Sequence, residues 1–391
     1  MSAPVIALVA PRHFLAANDG GRIKTASLCS ALQHCGELHV VVTDNRPHEG
    51  HWFHGELLPL PFGGQARFWS CVPRATWLVP LWCKDRRLRR WTAARRLASL
   101  RPDIVIADDV TTTRTAFAGT HPRVVCHAHN AESHLYRQTE GFDAETQRRR
   151  LRRAHEYEAI ERAYYPRATE VWGVRSSDIE YFESLGIARG RIVPNTLPED
   201  RFCAPSVGRA GEVLFFGSLW WPPNVQAVDY LARAAVTPRV VEAGLRISIA
   251  GQGRAGDGGS DPPGLRRLGF VEDLQALARD CAVVAIPLTS GGGTKLKTIE
   301  ALAMGKPVVT TAEGAAGLDL VDGRHVLIRD IGPAFDEAMI EVALHPQRYL
   351  ELAREGQAWV RERFSQAAVD CIVRQAFSEM GLAARPTGDA G

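Results

Sequence analysis

Short runs of apolar residues recur along this chain, and helix-length segments separate them. Val5-Ile6-Ala7-Leu8-Val9-Ala10, Leu38–Thr43, Ile104–Ala107, Val124–His127 and Glu170–Val174 read as strands of the first half. Gly21–Cys35, Arg86–Leu100 and the charged stretch Ala144–Tyr165 read as helices. Strands that are apolar throughout, without polar alternation, bury both faces. The pattern therefore asks for a parallel sheet with helices packed on either side. The rhythm breaks at Arg191-Ile192-Val193-Pro194-Asn195-Thr196-Leu197-Pro198, where two prolines bracket an asparagine. Proline also restricts the residue before it, so this stretch reads as a linker. The alternation restarts with Val213–Ser218, Leu245–Gly251, Ala282–Leu288 and Pro307–Thr310. At 391 residues the chain exceeds what one core organises. Two similar α/β domains follow, joined near Pro194–Pro205, with a last amphipathic helix at about Ser365–Leu382 and a Gly/Pro tail expected to fray.

Charge and cysteine usage narrow the function classes. A net charge of only +3 argues against a nucleic-acid coat while allowing local basic patches. The eight cysteines are scattered, with no close Cys-x-x-Cys pair, which reads as reduced, mostly buried thiols and not a zinc site. The N-terminus runs directly into a strand without a basic leader, and no apolar stretch is long enough to span a bilayer. A cytoplasmic protein is expected.

Open parallel sheets bind ligands beyond the C-terminal ends of their strands, and polar residues collect there in both halves. The most informative segment is Ser290-Gly291-Gly292-Gly293-Thr294-Lys295-Leu296-Lys297-Thr298-Ile299-Glu300, after the apolar run Ala282–Leu288. Glycines let a backbone approach an anion, and the helix that follows aims unpaired N–H groups at it. Lys295 and Lys297 put full positive charges where a helix alone would prefer acids. Glu300 lies on a largely apolar face and needs a partner, which a sugar hydroxyl would supply. Gly20 and Gly21 open a helix after the first strand. His127 and His129 follow the strand Val124–His127, with His127 in or beside it and His129 beyond. Phe216-Gly217-Ser218, with Trp220 and Trp221 nearby, and Gly251-Gln252-Gly253 end two strands of the second half. The turn Asn18-Asp19-Gly20-Gly21-Arg22 after the first strand is not Gly-x-Gly-x-x-Gly, and no Walker-type Gly-Lys-Ser/Thr occurs, which weakens dehydrogenase and ATPase readings.

In order and spacing these residues resemble retaining glycosyltransferases of the GT-B fold, specifically glycosyltransferase family four, over nearly the whole chain. The resemblance rests on Gly20-Gly21, His129-Asn130, Pro194-Asn195, Phe216-Gly217-Ser218 with Pro223-Asn224, Gly251-Gln252-Gly253, and Glu300-Ala301-Leu302-Ala303-Met304-Gly305-Lys306-Pro307. It implies two Rossmann-like domains facing a central cleft, an acceptor-side domain at 1–198 and a donor-side domain at 199–364. Segment 365–391 would pack back toward the first. It also implies metal-independent transfer of a hexosyl-type sugar from a nucleotide-diphosphate donor, with retained anomeric configuration. The expected setting is glycan, glycolipid or glycoconjugate synthesis.

By the same resemblance Glu300 holds the nucleotide ribose, and Gly292, Gly293 and Thr294 face the donor sugar and diphosphate. His129 contacts the donor sugar near the reacting carbon. Gly20 and Gly21 sit beside the phosphates, and Gly217, Ser218 and Gly251 complete the donor site. The pattern departs at Gly292, where the family's first glutamate would fall, and at the basic residue often found shortly after the Phe-x-Gly strand, here around Ser218 and Asn224. Lys295 and Lys297 are the expected substitutes, as in a subgroup carrying Gly-Gly-Gly-Thr-(Arg/Lys)-Leu-Lys.

The acceptor is a glycan, a lipid-linked molecule or a small molecule. Lys84–Trp91 and Arg95-Arg96-Leu97 form a basic amphipathic helix with Trp77, Leu78 and Trp82 upstream. It reads either as a solvated arginine-rich helix or as a peripheral contact with an anionic membrane. Arg148–Arg153 is solvated or meets an acidic acceptor. The competing functions are a sugar-nucleotide epimerase on the same fold and a catalytically silent nucleotide-sugar-binding subunit.

Overall fold

The computed structural model describes residues 3–12, 14–15, 20–44, 53–71, 86–138, 142–253, 261–291 and 295–382. The chain divides into two compact units. The first comprises residues 1–137, 148–196 and 366–391, and the second 138–147 and 197–365.

The first unit holds an eight-stranded sheet of β1 (Val5–Ala10), β2 (Glu37–Val42), β3 (His54–Pro59), β4 (Gln65–Ser70), β5 (Ile104–Asp108), β6 (Val124–His127), β7 (Glu170–Gly173) and β8 (Gly190–Ile192). Their order is β3-β4-β2-β1-β5-β6-β7-β8. Only β3 runs antiparallel. The helices are α1 (Gly20–Leu32), α2 (Arg86–Leu100), α3 (Val110–Ala116), α4 (Glu132–Arg137), α5 (Ala144–Tyr164) and α6 (Ser176–Ser184). The apolar strands have a direct explanation. On β1, Ile6 and Leu8 face a core with Leu28 and Cys29 of α1, while Ala7 and Val9 face another with Ala93 and Leu97 of α2. Alternate side chains leave a strand on opposite faces, so two covered faces demand apolar residues at every position.

The second unit holds a parallel sheet ordered β11-β10-β9-β12-β13-β14. Its strands are β9 (Arg209–Phe216), β10 (Arg246–Ala250), β11 (Leu265–Gly269), β12 (Cys281–Ile286), β13 (Val308–Thr310) and β14 (Leu327–Ile328). Around it pack α7 (Pro222–Ala234), α8 (Leu296–Ala303), α9 (Pro333–Leu344) and α10 (Leu350–Phe364). The last helix, α11 (Gln366–Glu379), belongs to the first unit. Its Val369, Val373 and Phe377 join the core beside α1, and Gln366 exchanges hydrogen bonds with Ser27.

Each sheet has one switch point, where successive strands leave in opposite directions. It falls between β1 and β5 in the first unit and between β9 and β12 in the second. Such crevices receive ligands. The sequence reading missed β3, β4, β11 and β14. These are edge or near-edge strands that are short or polar, such as Leu265-Arg266-Arg267-Leu268-Gly269, so they lack the continuous apolar signal. The expected frayed tail beyond residue 382, the segment 72–85 with Trp77, Leu78, Trp82 and Cys83, and Asn18-Asp19 lie outside the described residues.

Candidate functional site

In the second unit the residues gather at the β9–β12 crevice. Gly217 follows the last residue of β9 with φ +148°, and Gly251 follows β10 with φ +145°. Both conformations suit glycine. A Cβ on Gly251 would lie 1.9 Å from the Gly217 carbonyl oxygen, and one on Gly217 would lie 2.0 Å from Lys297 Nζ. The two glycines thus let neighbouring strand ends meet and leave room for a lysine. Asn224 Nδ2 donates to the Ser218 carbonyl at 2.8 Å, tying the exposed Ser218 turn to the start of α7.

Lys297, in the first turn of α8, donates from Nζ to the Phe216 carbonyl. Its ammonium lies 4.8 Å and 5.3 Å from the ring centroids of Phe215 and Phe216, an arrangement that helps hold a desolvated cation. Burial pushes its pKa down to about 8, with Glu300 pulling the other way. Glu300 is raised above the usual carboxylate range by burial, opposed by the charges of Lys297 and Arg201. It makes no hydrogen bond or ion pair among the described residues. Lys295, just before α8, donates to the Gly291 carbonyl and to Glu313 Oε1, so its charge already has a partner. No side chain caps the start of α8, which leaves its first N–H groups available. Gly292, Gly293 and Thr294 lie outside the described residues.

The first unit has its own cluster at the end of β5. Asp108, the last residue of β5, is fully buried. Its Oδ1 accepts from His127 Nδ1 and His129 Nε2, both at 2.8 Å, and its Oδ2 accepts from Thr25 of α1. Burial alone would raise this carboxyl. The His129 charge and the hydrogen bonds from both imidazoles reverse that and hold it well below the usual range. Burial lowers His127, with Asp108 opposing. Asp109 follows with φ +85°, a strained value for a non-glycine residue, and caps α3 by accepting from Thr111 N at 2.7 Å. Lys24 of α1 is buried and donates to the His129 carbonyl at 2.8 Å. Burial brings its pKa down to about 8, against the pull of Glu132, Asp108, Asp178 and Asp109. Burial raises Glu132 to about 7, helped by Asp109 and opposed by the Asn130 hydrogen bond.

The expected residues other than Gly292, Gly293 and Thr294 have places in the fold. His127 ends β6 and His129 lies just beyond it; Gly20 and Gly21 open α1. Gly217, Ser218, Gly251, Lys297 and Glu300 belong to the β9–β12 crevice of the second unit, while His129 belongs to the first. Sequence reasoning missed Lys24, Asp108 and Glu313. Lys24 carried a usable signal: a lysine within the small-residue run Thr25-Ala26-Ser27-Leu28-Cys29 sits on a buried helix face, where a charge is costly. Asp108, Asp109 and Glu313 look like ordinary helix-start acids in sequence.

Chemically, the crevice of the second unit offers two ammonium groups, helix N–H groups and an unpartnered carboxylate. That combination suits an anion joined to a hydroxylated body. The ligand atoms of Asp108, His127 and His129 lie within 4.8 Å of one another and could hold a metal ion. An ion there would have to displace two hydrogen bonds that already satisfy all three groups.

A model of the glycosyl transferase 4-like domain matches residues 19–196, and a model of glycosyl transferases group 1 matches residues 210–344. No curated protein matches the chain. Among solved structures, sucrose-phosphate synthase from Thermosynechococcus elongatus is similar with a TM-score of 0.71 at 14% identity, over 97% of this chain and 99% of that one. Anabaena HepE in complex with UDP and glucose gives 0.62 at 15% identity, over 96% and 100%. The lipopolysaccharide outer core galactosyltransferase WaaB gives 0.61 at 14%, over 96% and 99%. At these identities the structural likeness shows the fold, and the two domain models carry the assignment further. Matched in order by both domain models, the chain belongs to the glycosyltransferases of the GT-B fold.

Proposed function

We propose that the protein transfers a sugar from a nucleotide-diphosphate donor to an acceptor hydroxyl with retention of configuration and without a metal. The observation that supports this most is Lys297: a buried ammonium under Gly217, at the open start of α8, beside an unpartnered Glu300. A desolvated cation with a lowered pKa is poised to gain an anionic partner. In this reading the donor binds mainly to the second unit and the acceptor to the first. Lys297 and the α8 N–H groups stabilise the diphosphate as it leaves, and Lys295 joins them by exchanging Glu313 for phosphate. Fixed positive charge at the leaving group does what a metal would otherwise do. Glu300 accepts from the ribose hydroxyls, and Gly20, Gly21, Gly217, Ser218, Gly251, Gly292, Gly293 and Thr294 border the donor.

His129 meets the donor sugar near the reacting carbon. Its ring is oriented by Asp108 and its backbone held by Lys24. The departing phosphate accepts the acceptor's proton, so no second catalytic carboxylate is required. Among the described residues no helix is long and apolar enough to cross a membrane, and seven cysteines are free. We place the enzyme in the cytoplasm on that basis.

A thermal-shift panel of nucleotide sugars tests the donor, since a ligand that binds only the folded state raises the melting temperature. UDP-glucose is the natural first member, because HepE is also solved in complex with it. The anomeric configuration of the product and activity in excess chelator test the remainder. Lys297→Ala should cut turnover by about 10²–10³ with the fold kept, and near-normal turnover would sink the reading. Epimerised donor formed without acceptor would favour the epimerase instead.

A further inference from the structure

We propose that the first unit contains an arginine-lined pocket that binds a phosphoryl group, and that this group belongs to the acceptor. The second clause rests on the glycosyltransferase reading; the first does not. The pocket has a volume of about 620 Å³ and opens at the C-terminal ends of β1 and β2, where Pro11, Thr43 and Asp44 line it. That is the size of a small-ligand site. Arg89 and Arg90 enter from α2, Arg114 from α3 and Arg153 from α5. Tyr157 and Ile160, both buried, supply an apolar floor.

Four arginines from three helices meet two lining acids, Asp44 and Glu156. The internal contacts leave much of this charge unanswered. Arg153 meets Glu156 at 3.4 Å on an exposed helix face, a weak pair. Among the described residues Arg89 reaches only the Thr43 carbonyl, at 3.3 Å, and its buried Nε has no partner there. Arg90 and Arg114 make no hydrogen bond or ion pair among the described residues. Converging like charges destabilise a fold unless a counter-charge joins them. The planar guanidinium fork fits two oxygens of one phosphoryl group, whereas lysine offers a point charge.

The location favours an acceptor. Asp108, which orients His129, ends β5, and Thr111 and Arg114 of the pocket lie in α3 directly after it. A molecule held by its phosphate would lie beside the histidine cluster of the same unit. The basic face of α2 then has a use at Arg89 and Arg90 beyond solvation. The phosphate could come from a lipid headgroup or from a soluble phosphorylated acceptor.

The test uses the full chain and inorganic phosphate, followed by titration calorimetry at low salt. Wild type should bind saturably, and the double variant Arg90→Gln/Arg114→Gln should bind at least about tenfold more weakly. Lys297→Ala should retain the phosphate binding that the double variant loses. No saturable binding overturns the proposal, as does binding lost in Lys297→Ala but kept in the double variant. Because the side chains of Arg90 and Arg114 have no partner among the described residues, the double variant should melt at or above the wild-type temperature and keep its shift with nucleoside diphosphate. A wild type that binds phosphate through these arginines but shows no nucleotide shift would remove the glycosyltransferase reading and leave the pocket. Flotation with phosphatidylglycerol vesicles, compared with phosphatidylcholine, separates the sources. Flotation lost in the double variant assigns the phosphate to a lipid, and phosphate binding without flotation assigns it to a soluble acceptor; either supports the pocket.

Discussion

A nucleoside diphosphate should bind about tenfold more weakly at about pH 9 than at about pH 7, and Lys297 should be the cause. In the free protein, burial brings its pKa from 10.5 to about 8. Roughly nine tenths of the molecules then carry the ammonium at about pH 7, and roughly one tenth at about pH 9. A bound diphosphate stabilises the charged form and raises this pKa, so binding above pH 8 must take up a proton. The nucleotide's terminal phosphate ionises near 6, so it is already about nine-tenths ionised at about pH 7 and gains little charge above that. Calorimetry in two buffers of unequal ionisation heat should show uptake of about half a proton at about pH 8. Lys297→Ala should bind more weakly and lose the slope, while Lys297→Arg should keep binding with a flat profile. Equal affinity at both ends of the range, or a slope that survives in Lys297→Ala, would refute the reasoning. The same lysine affects folding with a definite sign. Its folded pKa lies below the unfolded value, so between about 8 and 10.5 the unfolded chain holds the proton and stability rises with pH. The drop corresponds to about 3 kcal/mol of stability missing below pH 8.

Three further outcomes follow from the two clusters. Gly251→Ala places a Cβ 1.9 Å from a backbone oxygen at positive φ, so it should cost about 3 kcal/mol in a denaturant titration. Asp108→Ala removes the shared acceptor of Thr25 and both imidazoles. Its melt should show a loss of about 3–5 kcal/mol, and an unchanged melting temperature would mean the network is not formed. Lys24→Met keeps side-chain volume and removes a buried charge, so stability should hold or rise while turnover falls; full activity would make Lys24 purely structural.

The fold was legible where burial demands it. Val5–Ala10 and Ile104–Ala107 carry no polar interruption because helices cover both faces, and that constraint is written in the residues themselves. The polar hairpin of β3 and β4 answers to pairing with one neighbour, which leaves little trace in composition. The site shows the same contrast. Lys297 and Glu300 stand out because charge inside an apolar helix is anomalous. Asp108 and Glu313 act through neighbours far away in sequence, at His127, His129 and Lys295, and only the folded chain brings these together. Gly217 and Gly251 were read as openings for a ligand. The structure adds a different duty, since each is required by the backbone or side chain of another site residue.

The chain's last helix sets the order in which the protein can be made. Residues 197–365 supply nearly all of the second unit without a break, so that unit can mature as soon as its own segment leaves the ribosome. The first unit cannot. Its core beside α1 is completed by Val369, Val373 and Phe377, which are translated only after the whole of the second unit. The half synthesised first therefore finishes folding last, and a nascent chain stalled before Gln366 would expose the apolar surface of α1 to chaperones and proteases.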